Sequence, residues 1–225
     1  MKKIKYFLYP AVPLVIFIVW TILVKTVDVT YIEDIGFLGF YNFNMAINDM
    51  VKTMPNGIFD KITDVILYLS FATIIPFAVL GIVQLVKRKS LLKVDKMLYF
   101  MLIGYASAVA LYFIFEVVRI NYSPLSTPDD LKPSYPSSHI FLALSFLAIN
   151  LYGAFDYLKL NKGLSLLLII GVNALMIIQI VFRLFSGKHY ITDVVGALLL
   201  AAFIFFVVYA LDRGFENKEE VEKQE

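Results

Sequence analysis

The sequence predicts an all-α polytopic membrane protein with six transmembrane helices. Its composition, its charge-free runs and the distribution of its cations support this prediction. Of its 225 residues, 60% are hydrophobic and 17% are charged, against about 45–50% and about 25% in ordinary soluble domains. A soluble globule of this size cannot bury so much apolar surface, and a disordered chain would not contain it. The chain has no cysteine, which excludes disulfide scaffolds, thiolate metal sites and cysteine nucleophiles.

The six predicted spans are stretches that contain no Asp, Glu, Lys or Arg. They are Phe7–Val24, Val65–Val86, Met97–Phe115, Ile140–Phe155, Leu164–Phe182 and Val194–Leu211. A helix needs about 17–25 residues to cross the hydrocarbon core, and every run except the fourth reaches this length directly. The fourth does so when His139 and Asp156–Tyr157 are counted as its ends. The first run is too long for a signal peptide and no small-residue cleavage site follows it, so we expect a retained helix.

Lysine and arginine counts orient the predicted helices. With both termini in the cytoplasm, 13 of the 20 Lys and Arg residues lie on the cytoplasmic side of the plasma membrane. The segment Thr26–Lys61 is then extracytoplasmic, and we expect a loop and a short helix that aromatic rings anchor at the interface. We expect one membrane domain, residues 1–225. Residues 1–96 form helices 1 and 2 with the outer loop, residues 97–211 form the bundle of helices 3–6 with the site, and residues 212–225 form a charged, frayed cytoplasmic tail.

Four of the cations predicted to lie outside are concentrated at two short outer loops, against the positive-inside bias. They are Arg119, Lys132, Arg183 and Lys188. An anionic ligand at the outer leaflet would explain them. The alternative is pairing with nearby acidic residues, and Lys132 and Lys188 could also be solvated surface groups. The net charge of +2 gives no electrostatic reason to expect nucleic-acid binding.

The chain has two histidines, and both lie at these loops. His139 follows Pro136-Ser137-Ser138, a pattern typical of a helix N-terminus, where free N–H groups can bind phosphate. His189 and Asp193 are four residues apart, so a helical turn would place both on one face and let the carboxylate orient the imidazole. Such a pair of histidines could serve as nucleophile and general acid. A zinc site would need three or four ligands, so no metal or other cofactor is expected.

These residues resemble the signature of the phosphatidic acid phosphatase type 2 and haloperoxidase superfamily. The second part of that signature, Pro-Ser-x-His, matches Pro136–His139, and the third matches Arg183, His189 and Asp193 with Phe182 in place of its serine. The first part, Lys-x6-Arg-Pro, differs: aligning Pro124 with its proline puts Ser123 at the arginine position and Glu116 at the lysine position. Arg119, Lys132 or Lys188 could replace the missing cations.

The resemblance implies a site and a reaction. His189 would attack phosphorus to form a phosphohistidine, Asp193 would orient it, and His139 would protonate the leaving group and then activate water. Arg183 would bind the phosphoryl oxygens, and the N-terminal serines Ser137 and Ser138 would help. The substrate would be a lipid phosphate or diphosphate, of the undecaprenyl diphosphate, phosphatidic acid or phosphatidylglycerol phosphate class, with its tails among the membrane lipids. The alternatives are a lipid-binding or transport protein that has lost catalysis, and a lipid phosphotransferase.

Overall fold

The computed structural model describes residues 4–51, 56–158 and 160–222. Within these ranges, six helical segments are long and apolar enough to cross a membrane, which confirms the predicted multi-pass, six-span fold. Four of the lysines that support the predicted topology, Lys2, Lys3, Lys159 and Lys223, lie outside the described residues. The helices are α1 Ile4–Thr26, α2 Tyr41–Val51, α3 Asn56–Ala72, α4 Ile75–Arg88, α5 Lys96–Val117, α6 Ser138–Tyr157, α7 Lys162–Phe185 and α8 Ile191–Glu222, with a single 3₁₀ turn at Leu91–Lys93.

The second span differs from its prediction in two ways. It is broken into α3 and α4 at Thr73–Ile74, because the ring of Pro76 is incompatible with the carbonyl four residues earlier in a continuous helix. Helix α3 also begins at Asn56, well before the charge-free run at Val65, and it therefore contains Asp60. The boundary predicted from charge alone was wrong, since it assigned this acidic residue to an outer loop.

Helix α6 is the centre of the bundle and contacts α3, α5, α7 and α8. Its residues are buried on nearly all sides, including Ile140, Phe146 and Ile149, as expected for an apolar helix surrounded by others. Helix α7, in contrast, leaves many aliphatic side chains exposed on its outer face. The fold therefore holds the N-terminus of α6 in the middle of one end of the bundle, which we call the site end.

A small cap covers part of the site end and adds one short hairpin to the helical fold. Strands β1 (Thr30–Ile32) and β2 (Gly36–Leu38) form an antiparallel hairpin that leads into α2. The buried amide of Asn44 on α2 donates a hydrogen bond to Thr192 Oγ1 at 3.0 Å, and the indole of Trp20 donates to the Thr192 carbonyl at 3.1 Å. The cap and α1 thus fix the first turn of α8.

Close packing of α8 depends on a glycine at the site end. A Cβ at Gly196 would lie 2.6 Å from the ring of Tyr135, whereas a Cβ at Gly171 would meet nothing within 4 Å. The phenol of Tyr135 also shares a 2.7 Å hydrogen bond with Thr21 on α1. Through Tyr135, the segment before α6 therefore packs against α8 and is hydrogen-bonded to α1.

The C-terminal segment also departs from its prediction. Helix α8 continues to Glu222 instead of ending where the charged tail begins. Asp212 is buried and accepts a 2.5 Å hydrogen bond from the Tyr152 hydroxyl. This partner on α6 explains how the first charged residue of the tail is accommodated inside the bundle.

Candidate active site

The site end brings together the two histidines that the sequence singled out. His139 lies in the first turn of α6, and His189 lies in the short loop between α7 and α8. Arg183 is in the last turn of α7 and Asp193 in the first turn of α8. A bond from the Ser137 N–H to the Asp193 carbonyl, 3.1 Å long, ties the start of α6 to the start of α8.

The orientation of His189 is set by a carbonyl group that the sequence did not suggest. Nδ1 of His189 lies 3.0 Å from the Ser134 carbonyl oxygen. Because a carbonyl only accepts, Nδ1 carries the proton and the lone pair is on Nε2. Asp193, which was expected to orient this ring, is farther away at 3.8 Å, and its Oδ2 accepts a 3.0 Å hydrogen bond from the Tyr190 N–H.

His189 is buried, and its surroundings favour the neutral imidazole. Burial lowers the pKa of His189 below its ordinary value, although the Asp193 carboxylate acts in the opposite direction. Asp193 is itself fully buried, and its Oδ1 makes no hydrogen bond within the described part of the chain. A neutral imidazole with its lone pair on Nε2 is the form that a nucleophile requires.

Arg183 connects the second histidine to the rest of the site. Its side chain is only 5% exposed, and its NH2 group lies 3.1 Å from His139 Nδ1. Its NH1 group donates a 2.7 Å hydrogen bond to Asp60 Oδ1, and its Nε is buried without a hydrogen-bond partner among the described residues. The guanidinium therefore faces both a histidine and a carboxylate and keeps one donor free.

Two carboxylates from α3 complete the site, and neither was predicted from the sequence. Asp60 bridges Arg183 and the Lys188 ammonium, with its Oδ2 2.6 Å from Lys188 Nζ. Asp64, one turn later, places Oδ1 3.1 Å from His139 Nε2. Had the second span been extended past its first charged residue, the spacing of four residues would have placed both carboxylates on one face at the end of a helix.

The two positions that depart from the first part of the family signature have different roles. The Ser123 hydroxyl donates a 2.7 Å hydrogen bond to the Lys188 carbonyl, so it holds the loop that carries His189. Glu116 lines a cavity of about 20 Å³ together with His189, Ser134 and Ser138. That volume is enough for about one water molecule.

The remaining predicted phosphate ligands divide into two groups. Ser137 is buried beside the histidines, and its hydroxyl caps no helix N–H and has no hydrogen-bond partner among the described residues. Lys132 instead pairs with Asp130 at 2.7 Å and is half-exposed, and Arg119 is exposed. The structure thus brings Ser137, Ser138 and Lys188 to the site and leaves Arg119 and Lys132 outside it. The described residues contain no group of three or more His, Cys, Asp or Glu side chains that could hold a metal ion.

Comparisons with known proteins agree with this architecture. Residues 113–215 match the model of the PAP2 superfamily, which confirms the resemblance inferred from the sequence. The crystal structure of a transmembrane PAP2-type phosphatidylglycerolphosphate phosphatase from Bacillus subtilis has the same fold, with a TM-score of 0.64 and 18% identity. The similarity covers 93% of this chain and 96% of that one. The comparison with curated proteins gave no match.

Proposed function

We propose that this chain, whose residues 113–215 match the PAP2 model, is an integral membrane phosphatase of lipid phosphates or diphosphates. The observation that carries the proposal is that His189, whose Nε2 is unprotonated, lies at the same end of the bundle as the bonded pair of Arg183 and His139. Phosphoryl transfer depends mainly on positioning and on stabilisation of charge, and these groups can supply both. The shared fold with a phosphatidylglycerolphosphate phosphatase supports a lipid substrate of the same chemical class.

In the proposed reaction, His189 Nε2 attacks phosphorus and forms a phosphohistidine while the leaving oxygen takes a proton from His139. A water molecule then loses a proton to His139 and attacks phosphorus, which releases phosphate and restores His189. Arg183 binds the phosphoryl oxygens as negative charge develops on them. The lipid tails remain in the bilayer, because the site lies at the end of the helices and needs no deep soluble pocket.

One observation favours a second candidate, a lipid-binding protein without catalysis. Asp60 pairs with both Arg183 and Lys188, so the cations expected to bind phosphate already have a partner in the structure. A protein that binds its lipid through other groups could retain this arrangement. Measured turnover separates the two candidates.

We expect the detergent-purified protein to release inorganic phosphate from one or more members of a panel of lipid phosphates and diphosphates in the presence of a chelator. Lys132→Ala and Arg119→Ala should change the rate by less than about twofold, because exposed charges contribute little. Phosphate release is measured colorimetrically. No release from any lipid would favour the binding protein, and strict dependence on added metal would contradict the proposed mechanism.

The proposed topology places the site outside the cytoplasm, and the absence of cysteine makes it simple to test. Leu92 is 96% exposed between α4 and α5, within the lysine-rich segment at the end of the bundle away from the site. Asp130 is exposed in the loop before α6. We expect a membrane-impermeant maleimide to label Asp130→Cys in intact cells and Leu92→Cys only after permeabilisation. The reverse pattern would invert the proposed topology.

A further inference from the structure

Helix α3 supplies carboxylates to the site although it lies outside residues 113–215, which match the PAP2 model. Asp60 and Asp64 have different partners. Asp60 contacts the two cations, whereas the closest partner of Asp64 is His139 Nε2, at 3.1 Å. Asp64 is 3.9 Å from Arg183 NH1, which is already bonded to Asp60 at 2.7 Å. The need to balance the charge of Arg183 therefore does not explain why a carboxylate stands at position 64.

The contacts of His139 define its tautomer. Arginine has only donors, so Nδ1, which faces Arg183 NH2, must accept. An ionised carboxylate has only acceptors, so Nε2, which faces Asp64, must donate. His139 is therefore a neutral imidazole with its proton on Nε2 and its lone pair on Nδ1.

We propose that Asp64 is a positioning residue that acts through His139, holding Nε2–H so that Nδ1 performs the proton transfers; this rests on the proposed function. The arrangement parallels the imidazole of a catalytic triad, in which a carboxylate binds one ring nitrogen and the other exchanges protons. When a phosphoryl group binds, its oxygens draw Arg183 NH2 away from Nδ1. Nδ1 then takes up a proton from solvent, and Asp64 stabilises the resulting imidazolium, which is the form that enters the first half-reaction.

The protons balance over both half-reactions. In the first, the bond between phosphorus and the leaving oxygen breaks, the bond to His189 Nε2 forms, and the Nδ1 proton of His139 moves to the leaving oxygen. In the second, water gives a proton to Nδ1 while its oxygen attacks phosphorus. The phosphorus–nitrogen bond then breaks, and its electron pair returns to His189. The Nε2 proton stays with Asp64 throughout.

Several other ionisable groups lie around His139. They are Asp60 from α3, Arg183 from α7, and Lys188 and His189 from the following loop. The two cations destabilise an imidazolium at His139, and the two carboxylates stabilise it. Removing the charge of Asp64 leaves the cations in place, so the imidazolium that donates the proton should be less stable.

The test compares two substrates that share one hydrocarbon tail, a long-chain alkyl phosphate and a nitrophenyl phosphate bearing the same alkyl chain. An alkoxide leaving group needs a proton, whereas a nitrophenolate leaves without one. We expect Asp64→Asn to lower kcat/KM, which reports the first half-reaction, by about 100-fold for the alkyl ester and by less than about threefold for the aryl ester.

Lys61→Gln, on the exposed side of α3, is the matched control and should behave as wild type. Asp64→Glu retains a carboxylate and should restore part of the alkyl-ester rate. Equal losses for the two esters, or an unchanged rate for the alkyl ester, would overturn the role of Asp64. Wild-type protein that cleaves neither ester nor any lipid phosphate would instead overturn the proposed function, and this inference with it.

Discussion

His189→Gln is expected to reduce phosphate release by at least ~10⁴-fold, because it removes the group that forms the covalent intermediate. Glutamine keeps a polar group in the buried loop, so the variant should still fold and bind lipid phosphate. Brief incubation with a ³²P-labelled substrate should label wild-type protein through a phosphoramidate that is stable to base and labile to acid. The variant should not be labelled. Turnover by His189→Gln would contradict the proposed nucleophile.

Asp193→Asn tests which group sets the tautomer of His189. The Ser134 carbonyl oxygen already accepts a hydrogen bond from Nδ1–H, with 3.0 Å between nitrogen and oxygen. Where a carboxylate alone sets the tautomer, the corresponding change costs ~10⁴-fold. Here the asparagine removes only a charge 3.8 Å from the ring, so we expect a loss of about 10²-fold. A loss as large as that of His189→Gln would show that Asp193, and not Ser134, sets the tautomer.

The pH dependence of the same reaction follows from the burial of His189. Burial lowers the pKa of His189 below its ordinary value of about 6.5, so the nucleophile stays neutral at and below that pH. The acid limb of kcat/KM should therefore lie below pH ~6.5. The unfolded chain binds this proton more readily than the folded one, so His189 should reduce the free energy of unfolding as the pH falls below ~6.5.

Sequence patterns were sufficient to predict the membrane fold and the meeting of two distant motifs. Charge-free runs located six spans because the bilayer core excludes charge. The segments Pro136–His139 and Arg183–Asp193 lie together because helix ends at the same face of a bundle are neighbours. Local spacing also suggested the pairing of His189 with Asp193, but the nearer partner, the Ser134 carbonyl, is a backbone group with no signal in the sequence.

The α3 carboxylates could not be predicted in the same way. A charge-free criterion ends a span at its first charged residue, and this rule removed Asp60 from the helix that carries it. The Asp60 carboxylate is stabilised there by Arg183 on α7, which is 123 positions away in the chain, and no local pattern indicates such a contact. The role of Ser123 in the altered first motif also depends on the tertiary structure, because its hydroxyl donates a hydrogen bond to the Lys188 carbonyl.

Because Asp60 already pairs with Arg183 and Lys188, its substitution should have the other large effect. Asp60 pairs with both Arg183 and Lys188, and Asp64 lies 3.9 Å from Arg183, so both cations already have carboxylate partners before any phosphate binds. A phosphate dianion must compete with Asp60 for both cations. We expect Asp60→Asn to tighten inhibition by inorganic phosphate by about tenfold, since a shift of about 1.4 kcal/mol in binding accompanies removal of one competing charge.

The same substitution should lower stability, because it leaves the buried Arg183 guanidinium without its charged partner. Breaking a buried ion pair costs about 3–5 kcal/mol, and we expect roughly half of that here because Asp60 is partly exposed and asparagine can still accept a hydrogen bond. The Tm in detergent should fall by about 5 °C, at 2–4 °C for each kcal/mol. Asp129→Asn, a change of the same type at an exposed position in the loop before α6, is the matched control.

The two effects of Asp60→Asn can be separated by adding phosphate. A ligand that binds only the folded state raises stability by an amount that grows with its affinity. Inorganic phosphate should therefore raise the Tm of Asp60→Asn more than that of wild type and recover most of the loss. Equal phosphate-induced shifts in the two proteins would show that Asp60 does not compete with phosphate. Weaker phosphate inhibition of the variant would show that Asp60 holds Arg183 and Lys188 in the geometry that binds phosphate.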